Sequence, residues 1–150
     1  MTFRTCYSAL DRDDQQLARF QTWRNTNTAA ADELTELFRF NIPLRWSAAH
    51  LYQRMLDGEE HVKNVASVFT LAAYMHYKLT GRKVIGIGDA AGMFPIDSGA
   101  LDYDEAMVKK FDALAAEHGH PQIKLREISP KVLVAGDDPH RFSLRHVPRQ

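Results

Sequence analysis

The sequence predicts a helix-rich α/β domain on three observations. Four stretches, about 28–38, 47–57, 60–79 and 104–117, repeat apolar residues at helical spacing. Two short apolar runs, Val84 to Ile87 and Lys131 to Ala135, have the length and composition of strands. The first run leads straight into a small-residue turn, Gly86 to Gly92 with Pro95 behind it, as strands of α/β sheets do where they gather ligands.

Each element has its own signals. Thr28 caps the first helix, Asp32 and Glu33 favour its first turn, and Ala31, Leu34, Leu37 and Phe38 form its apolar face. Asn41-Ile-Pro43 breaks the chain. Ser47 then caps a second helix with Ala48, Leu51, Tyr52, Met55 and Leu56 inward, closed by Asp57-Gly58. The third and strongest helical pattern runs from Glu60 to Leu79 through Val62, Val65, Val68, Phe69, Ala72, Ala73 and His76, and Gly81 ends it. Pro95 keeps Asp89 to Asp97 a loop, with Asp97, Ser98 and Gly99 marking the next turn. Asp104 caps a fourth helix with Met107, Phe111 and Leu114 inward, which His118-Gly-His-Pro121 stops. Ile123 to Ile128 has no decisive period, and Gly136-Asp137 reads as a turn. Residues 1–18 are polar, with Asp11, Asp13 and Asp14 clustered, and are expected to form a poorly ordered leader.

At 150 residues and 45% hydrophobic, the chain suffices for one domain, or part of one, with a real core. Nineteen basic residues balance nineteen acidic ones, so no net field draws nucleic acid or an anionic membrane. The single Cys6 and the absence of an apolar signal segment point to a cytoplasmic setting. The longest apolar run, Val65 to Tyr77, is interrupted by Ser67, Thr70 and His76 and is too short to span a bilayer.

Four residues are candidates for substrate binding. Asp89 follows the first strand, where a carboxylate can face a ligand or organise its turn by accepting the N–H groups of Ala90 to Gly92. Trp23 offers a flat face to a sugar or polyol, or packs under the first helix; Arg24 and Asn25, with Asn27, supply donors and acceptors at a helix entrance. Gly86-x-Gly88-x-x-Ala91 imitates a dinucleotide fingerprint, but Pro95 and the lack of a following βαβ unit argue against it. The seven histidines include no i, i+4 pair, so no zinc site is expected; His76 reads as a core residue. The Arg141, Arg145 and Arg149 tail reads as a solvated end.

Val84 to Asp97 resembles the Asp-(small)-Ala-(Ser/Gly)-x-(apolar)-x-Asp segment of FGGY-family carbohydrate kinases. Trp23-Arg-Asn-Thr-Asn-Thr28 resembles their Trp-x-Asp-x-Arg-Thr substrate-side segment, with Asn25 at the usual Asp position and Thr26 where Arg often stands. Order and separation fit the middle of that family's first domain, from about residue 19 to 136, with 137–150 diverging. The resemblance implies part of a ribonuclease H-like (actin-like ATPase) domain from an enzyme that phosphorylates a hydroxyl of a sugar, ketose or polyol using ATP and Mg²⁺. The family's Asp-x-Gly-Thr phosphate hairpin, Gly-Asp catalytic base and nucleotide-binding domain are not seen in these residues, and Gly136-Asp137 falls too early to be the base. No catalytic residue is therefore assigned. The chain is expected to be a truncated piece that is inactive alone and binds neither ATP nor Mg²⁺ by itself, with a small sugar or polyol, the missing kinase segments or a second copy as partners. The alternative is a non-catalytic carbohydrate-binding or assembly module derived from such a kinase.

Overall fold

A computed structural model describes residues 7–20 and 28–137. In chain order these form β1 (Ser8–Leu10), α1 (Thr28–Phe38), α2 (Ser47–Leu56), a 3₁₀ turn (Glu60–Asn64), β2 (Ser67–Phe69), α3 (Leu71–Thr80), β3 (Val84–Gly86), α4 (Ile87–Ala90), β4 (Ile96–Asp97), β5 (Asp102–Tyr103), α5 (Glu105–Glu117), α6 (Leu125–Ile128) and β6 (Lys131–Leu133). The class is the expected helix-rich α/β. Its strands fall into three separate pairs: β1 with β2 antiparallel, β3 with β6 parallel, and the β4–β5 hairpin.

The largest departure from expectation concerns residues 60–79, which are not one helix. The periodic stripe is cut into the 3₁₀ turn, β2 and α3. Val65 and Val68 are β-branched and lose side-chain freedom in a helix, whereas an extended segment buries them both. Thr70 then restarts the helix, its hydroxyl oxygen accepting from the Ala73 N–H at 3.1 Å as an N-cap.

The second departure is the leader. Ser8, Ala9 and Leu10 pair with Phe69, Val68 and Ser67, and Tyr7, Ala9 and Leu10 are fully buried. The acidic cluster shapes a tight turn rather than a solvated run. One Asp11 carboxylate oxygen accepts from the N–H groups of Asp13 (2.8 Å) and Gln15 (2.9 Å), and Asp14 takes the left-handed conformation at φ 59°. Asp14 also accepts from the Tyr77 hydroxyl at 2.5 Å and the Lys83 ammonium at 2.6 Å, tying the turn to α3 and to the approach to β3.

Smaller corrections follow from caps and connections. Trp46 is the N-cap residue of α2, and Ser47 lies buried inside the first turn. Neither Asp32 nor Glu33 falls in the first turn of α1, and Glu33 instead accepts from the Tyr52 hydroxyl on α2. The cap expected at Asp104 is present, accepting from the Met107 N–H at 3.0 Å. A short helix, α4, directly follows β3, and the chain returns through α5 to place β6 parallel to β3, so a β–α–β crossover exists where none was expected.

The core joins α1, α2, α5 and the β1–β2 pair. Its aromatic centre is Phe94, 1% exposed, whose ring meets Phe38, Phe111 and Tyr103 edge-on at centroid distances of 5.5, 5.9 and 6.3 Å. Phe94 comes from the turn that follows β3, so this turn is pinned by the core rather than left as a surface loop.

Candidate functional site

Of the four candidate residues, Trp23, Arg24 and Asn25 lie outside the described residues, as do Cys6 and the arginine tail. Asp89 lies within them, in α4. Its carboxylate accepts the Thr70 hydroxyl hydrogen at 2.5 Å. The turn-organising role expected of that side chain goes instead to backbone carbonyls: the Gly92 N–H donates to the Asp89 carbonyl at 2.9 Å and the Met93 N–H to that of Ala90 at 2.9 Å.

Thr70 is the functional partner that sequence reasoning missed. It is fully buried, donates to Asp89 and accepts from Ala73, so one hydroxyl joins the start of α3 to the turn after β3. The signal was present as a Thr breaking an apolar run three residues before Ala73, but the assumed continuous helix hid it.

Asp89 borders a cavity of about 540 Å³ at the C-terminal ends of the parallel pair, between α3 and the two strands. Ala72, Val84, Ile85 and Leu133 provide an apolar lining, His76 adds an imidazole, and Asp89 and Asp137 are the carboxylates. His76, read as a core residue, is half-buried on this wall. Gly136-Asp137 is the expected turn: the Asp137 N–H donates to the Val134 carbonyl at 3.1 Å, and the Val134 N–H donates to the Asp137 carboxylate at 2.9 Å. Asp97 likewise organises its turn, accepting from the Gly99 N–H at 2.7 Å.

No group of three His, Cys, Asp or Glu side chains among the described residues could hold a metal. Nor is any helix among them long and apolar enough to cross a membrane. What the geometry does provide is a rigid corner, in which Asp89 and Thr70 fix α3 against β3 beside an apolar cleft.

No family model matches the sequence, and no curated protein sequence matches it either. Solved structures do. The gluconate kinase from Lactobacillus acidophilus superposes with a TM-score of 0.68 at 18% identity, over 85% of this chain and 26% of that one. The xyloylose kinase from Brucella ovis gives 0.67 at 18%, over 86% and 26%, and the xylulose kinase from Bifidobacterium adolescentis 0.64 at 13%, over 86% and 33%. At such identities the likeness establishes fold, and the chain spans between a quarter and a third of the length of these relatives. The resemblance read in the sequence thus holds at the level of fold, and this chain has the α/β fold of one part of a carbohydrate kinase.

Proposed function

We propose that these residues are the substrate-side part of an ATP-dependent FGGY-type carbohydrate kinase that phosphorylates a hydroxyl of a sugar, ketose or polyol. The observation that carries this is the superposition of 85–86% of the chain on kinases of that activity, joined with the Asp89 turn and the Trp23 segment that resemble the family's motifs. In this reading Trp23 stacks on the carbon skeleton, Arg24 and Asn25 hydrogen-bond hydroxyls, and Asp89 acts at one remove, holding Thr70 and so the angle between α3 and the strand before the turn.

Phosphoryl transfer also needs a base at the attacking hydroxyl and cations spreading charge on the transferred group. ATP and Mg²⁺ supply that chemistry in the complete kinase, held by residues other than those described here. In this reading the 150 residues have no kinase activity by themselves. Reading the genomic DNA on both sides for the phosphate hairpin and the catalytic Gly-Asp, then assaying the joined polypeptide, tests the reading. The joined polypeptide is expected to form ADP with a ketopentose, ketohexose or glycerol, and the 150-residue chain to form none. ADP formation by the short chain overturns its inactivity. A joined polypeptide that neither turns over nor shows sugar-dependent quenching lost in Trp23→Ala overturns the kinase reading.

A further inference from the structure

Two tyrosine–histidine hydrogen bonds join distant elements of this fold, and they carry their protons in opposite directions. Tyr7, at the entrance to β1, is fully buried, and its hydroxyl lies 3.1 Å from Nε2 of His61 in the 3₁₀ turn. The other ring nitrogen, Nδ1, is 3.1 Å from the Glu59 carboxylate, whose second oxygen accepts from the Arg54 guanidinium on α2 at 2.6 Å. A carboxylate only accepts. Nδ1 therefore carries the proton, Nε2 of the neutral ring is an acceptor, and the Tyr7 hydroxyl donates to it.

At the second pair the polarity is reversed. Tyr52 on α2 gives its one hydroxyl hydrogen to the Glu33 carboxylate on α1, and its oxygen lies 3.0 Å from Nε2 of His118, the residue that ends α5. With that hydrogen committed, the Tyr52 oxygen can only accept, so His118 Nε2 is a donor whether the ring is neutral or charged. Gaining a proton leaves this joint intact.

The same event breaks the Tyr7 joint as it stands. A second proton on His61 turns Nε2 into a donor. The Tyr7 oxygen can receive it, but the hydroxyl hydrogen then needs a new acceptor, and His61 is the only hydrogen-bond partner of that hydroxyl among the described residues. The groups facing His61 do not compensate. Glu59 favours the imidazolium and Arg54 opposes it, while burial is the largest influence and leaves the His61 pKa lowered. His50, stacked on the Tyr7 ring from α2, adds no negative charge.

We propose that the Tyr7–His61–Glu59 chain is a pH-sensitive latch on β1: protonation of His61 releases the strand from the 3₁₀ turn while the Glu33–Tyr52–His118 joint keeps α1, α2 and α5 together. The latch does not depend on the kinase reading. Nitrogen-15 NMR of the histidine side chains reads its first requirement: at about pH 7.5 His61 should be the neutral Nδ1–H form, and His118 should carry a proton on Nε2. Amide exchange from about pH 7.5 to 4.5, corrected for intrinsic rate, reads the second. Protection of Ser8 to Leu10 should fall by about tenfold or more beyond the fall at Val108 to Ala115 in α5, which follows global unfolding. His61→Gln cannot titrate and should abolish the excess, Tyr7→Phe should remove most of it, and Tyr52→Phe should leave it in place. An Nε2–H tautomer at neutral His61, parallel loss of protection in β1 and α5, or an excess that persists in His61→Gln overturns the proposal.

Discussion

Acidification from about pH 6.5 towards pH 4 should destabilise this fold, and burial of the neutral His50 ring is the main cause. His50 is fully buried in α2, its ring stacked on that of buried Tyr7 at a centroid distance of 6.3 Å. Burial, reinforced by the nearby Arg54 cation, lowers its pKa from 6.5 to about 4. The folded state therefore keeps the ring neutral, while the unfolded chain protonates it below pH 6.5. Between those two values the unfolded state binds one more proton, so stability falls with pH at up to about 1.4 kcal/mol per unit. The total is about 3 kcal/mol, present in full above pH 6.5 and lost by pH 4, against an expected domain stability of about 5–15 kcal/mol.

Urea unfolding followed by circular dichroism from about pH 7.5 to 4.5 measures this slope. His50→Gln removes the titrating group and keeps a polar side chain of similar size. The variant is expected to be less stable at neutral pH yet to lose about 2–3 kcal/mol less than the parent on acidification. His61 titrates in the same direction, since burial outweighs the favourable Glu59 carboxylate, and so does His120; a smaller slope should persist in the variant. Asp14 lies outside this window, because the Lys83 and Tyr77 hydrogen bonds lower its pKa and its contribution is lost only as pH falls through that lowered value. Parallel stability curves for parent and His50→Gln would refute the assignment of the proton to His50.

Two further outcomes are expected. Thr70→Val deletes both the α3 cap and the donor to Asp89 while keeping the shape, and should cost about 2–3 kcal/mol in urea unfolding, against less than about 1 kcal/mol for Thr70→Ser; equal effects would deny the hydroxyl its double role. Asp14→Ala removes the acceptor shared by Tyr77 and Lys83 on a partly exposed surface, so the global cost should stay under about 1 kcal/mol, while amide exchange at Ser8 to Leu10 accelerates; unchanged exchange there would show that β1 is held by burial alone.

The parts of the fold legible in the sequence are those in which one local signal sufficed. Asp104 capped α5 as its position implied, and Gly58 and Gly81 ended their helices with φ of 68° and 74°, the conformation only glycine adopts freely. Elements set by distant contacts were not legible. β1 exists because Val68 and Phe69 lie opposite Ala9 and Ser8, some sixty residues away in the chain, and no pattern within residues 1–18 announces that pairing. The same misreading hid β2: a stripe at helical spacing fits Val62 to Leu79 whether the backbone is one helix or a 3₁₀ turn, a strand and a helix, because apolar residues dense enough for a buried strand also satisfy the helical period.

The segment that carries the kinase resemblance shows why fold was easier to read than function. Within Val84 to Asp97, Ala90, Met93 and Phe94 are buried at 0, 2 and 1% exposure, and Phe94 is the centre of the aromatic cluster. The one carboxylate in its turn, Asp89, is engaged with Thr70. Most of what makes this motif recognisable is thus core and cap, physics that any chain keeping this fold must satisfy whether or not it binds a sugar. A motif of that kind constrains architecture strongly and chemistry weakly. The chemistry of the proposed site therefore rests on Trp23, Arg24 and Asn25, and experiments on those three side chains bear on sugar binding where further dissection of the Asp89 turn would report mainly on stability.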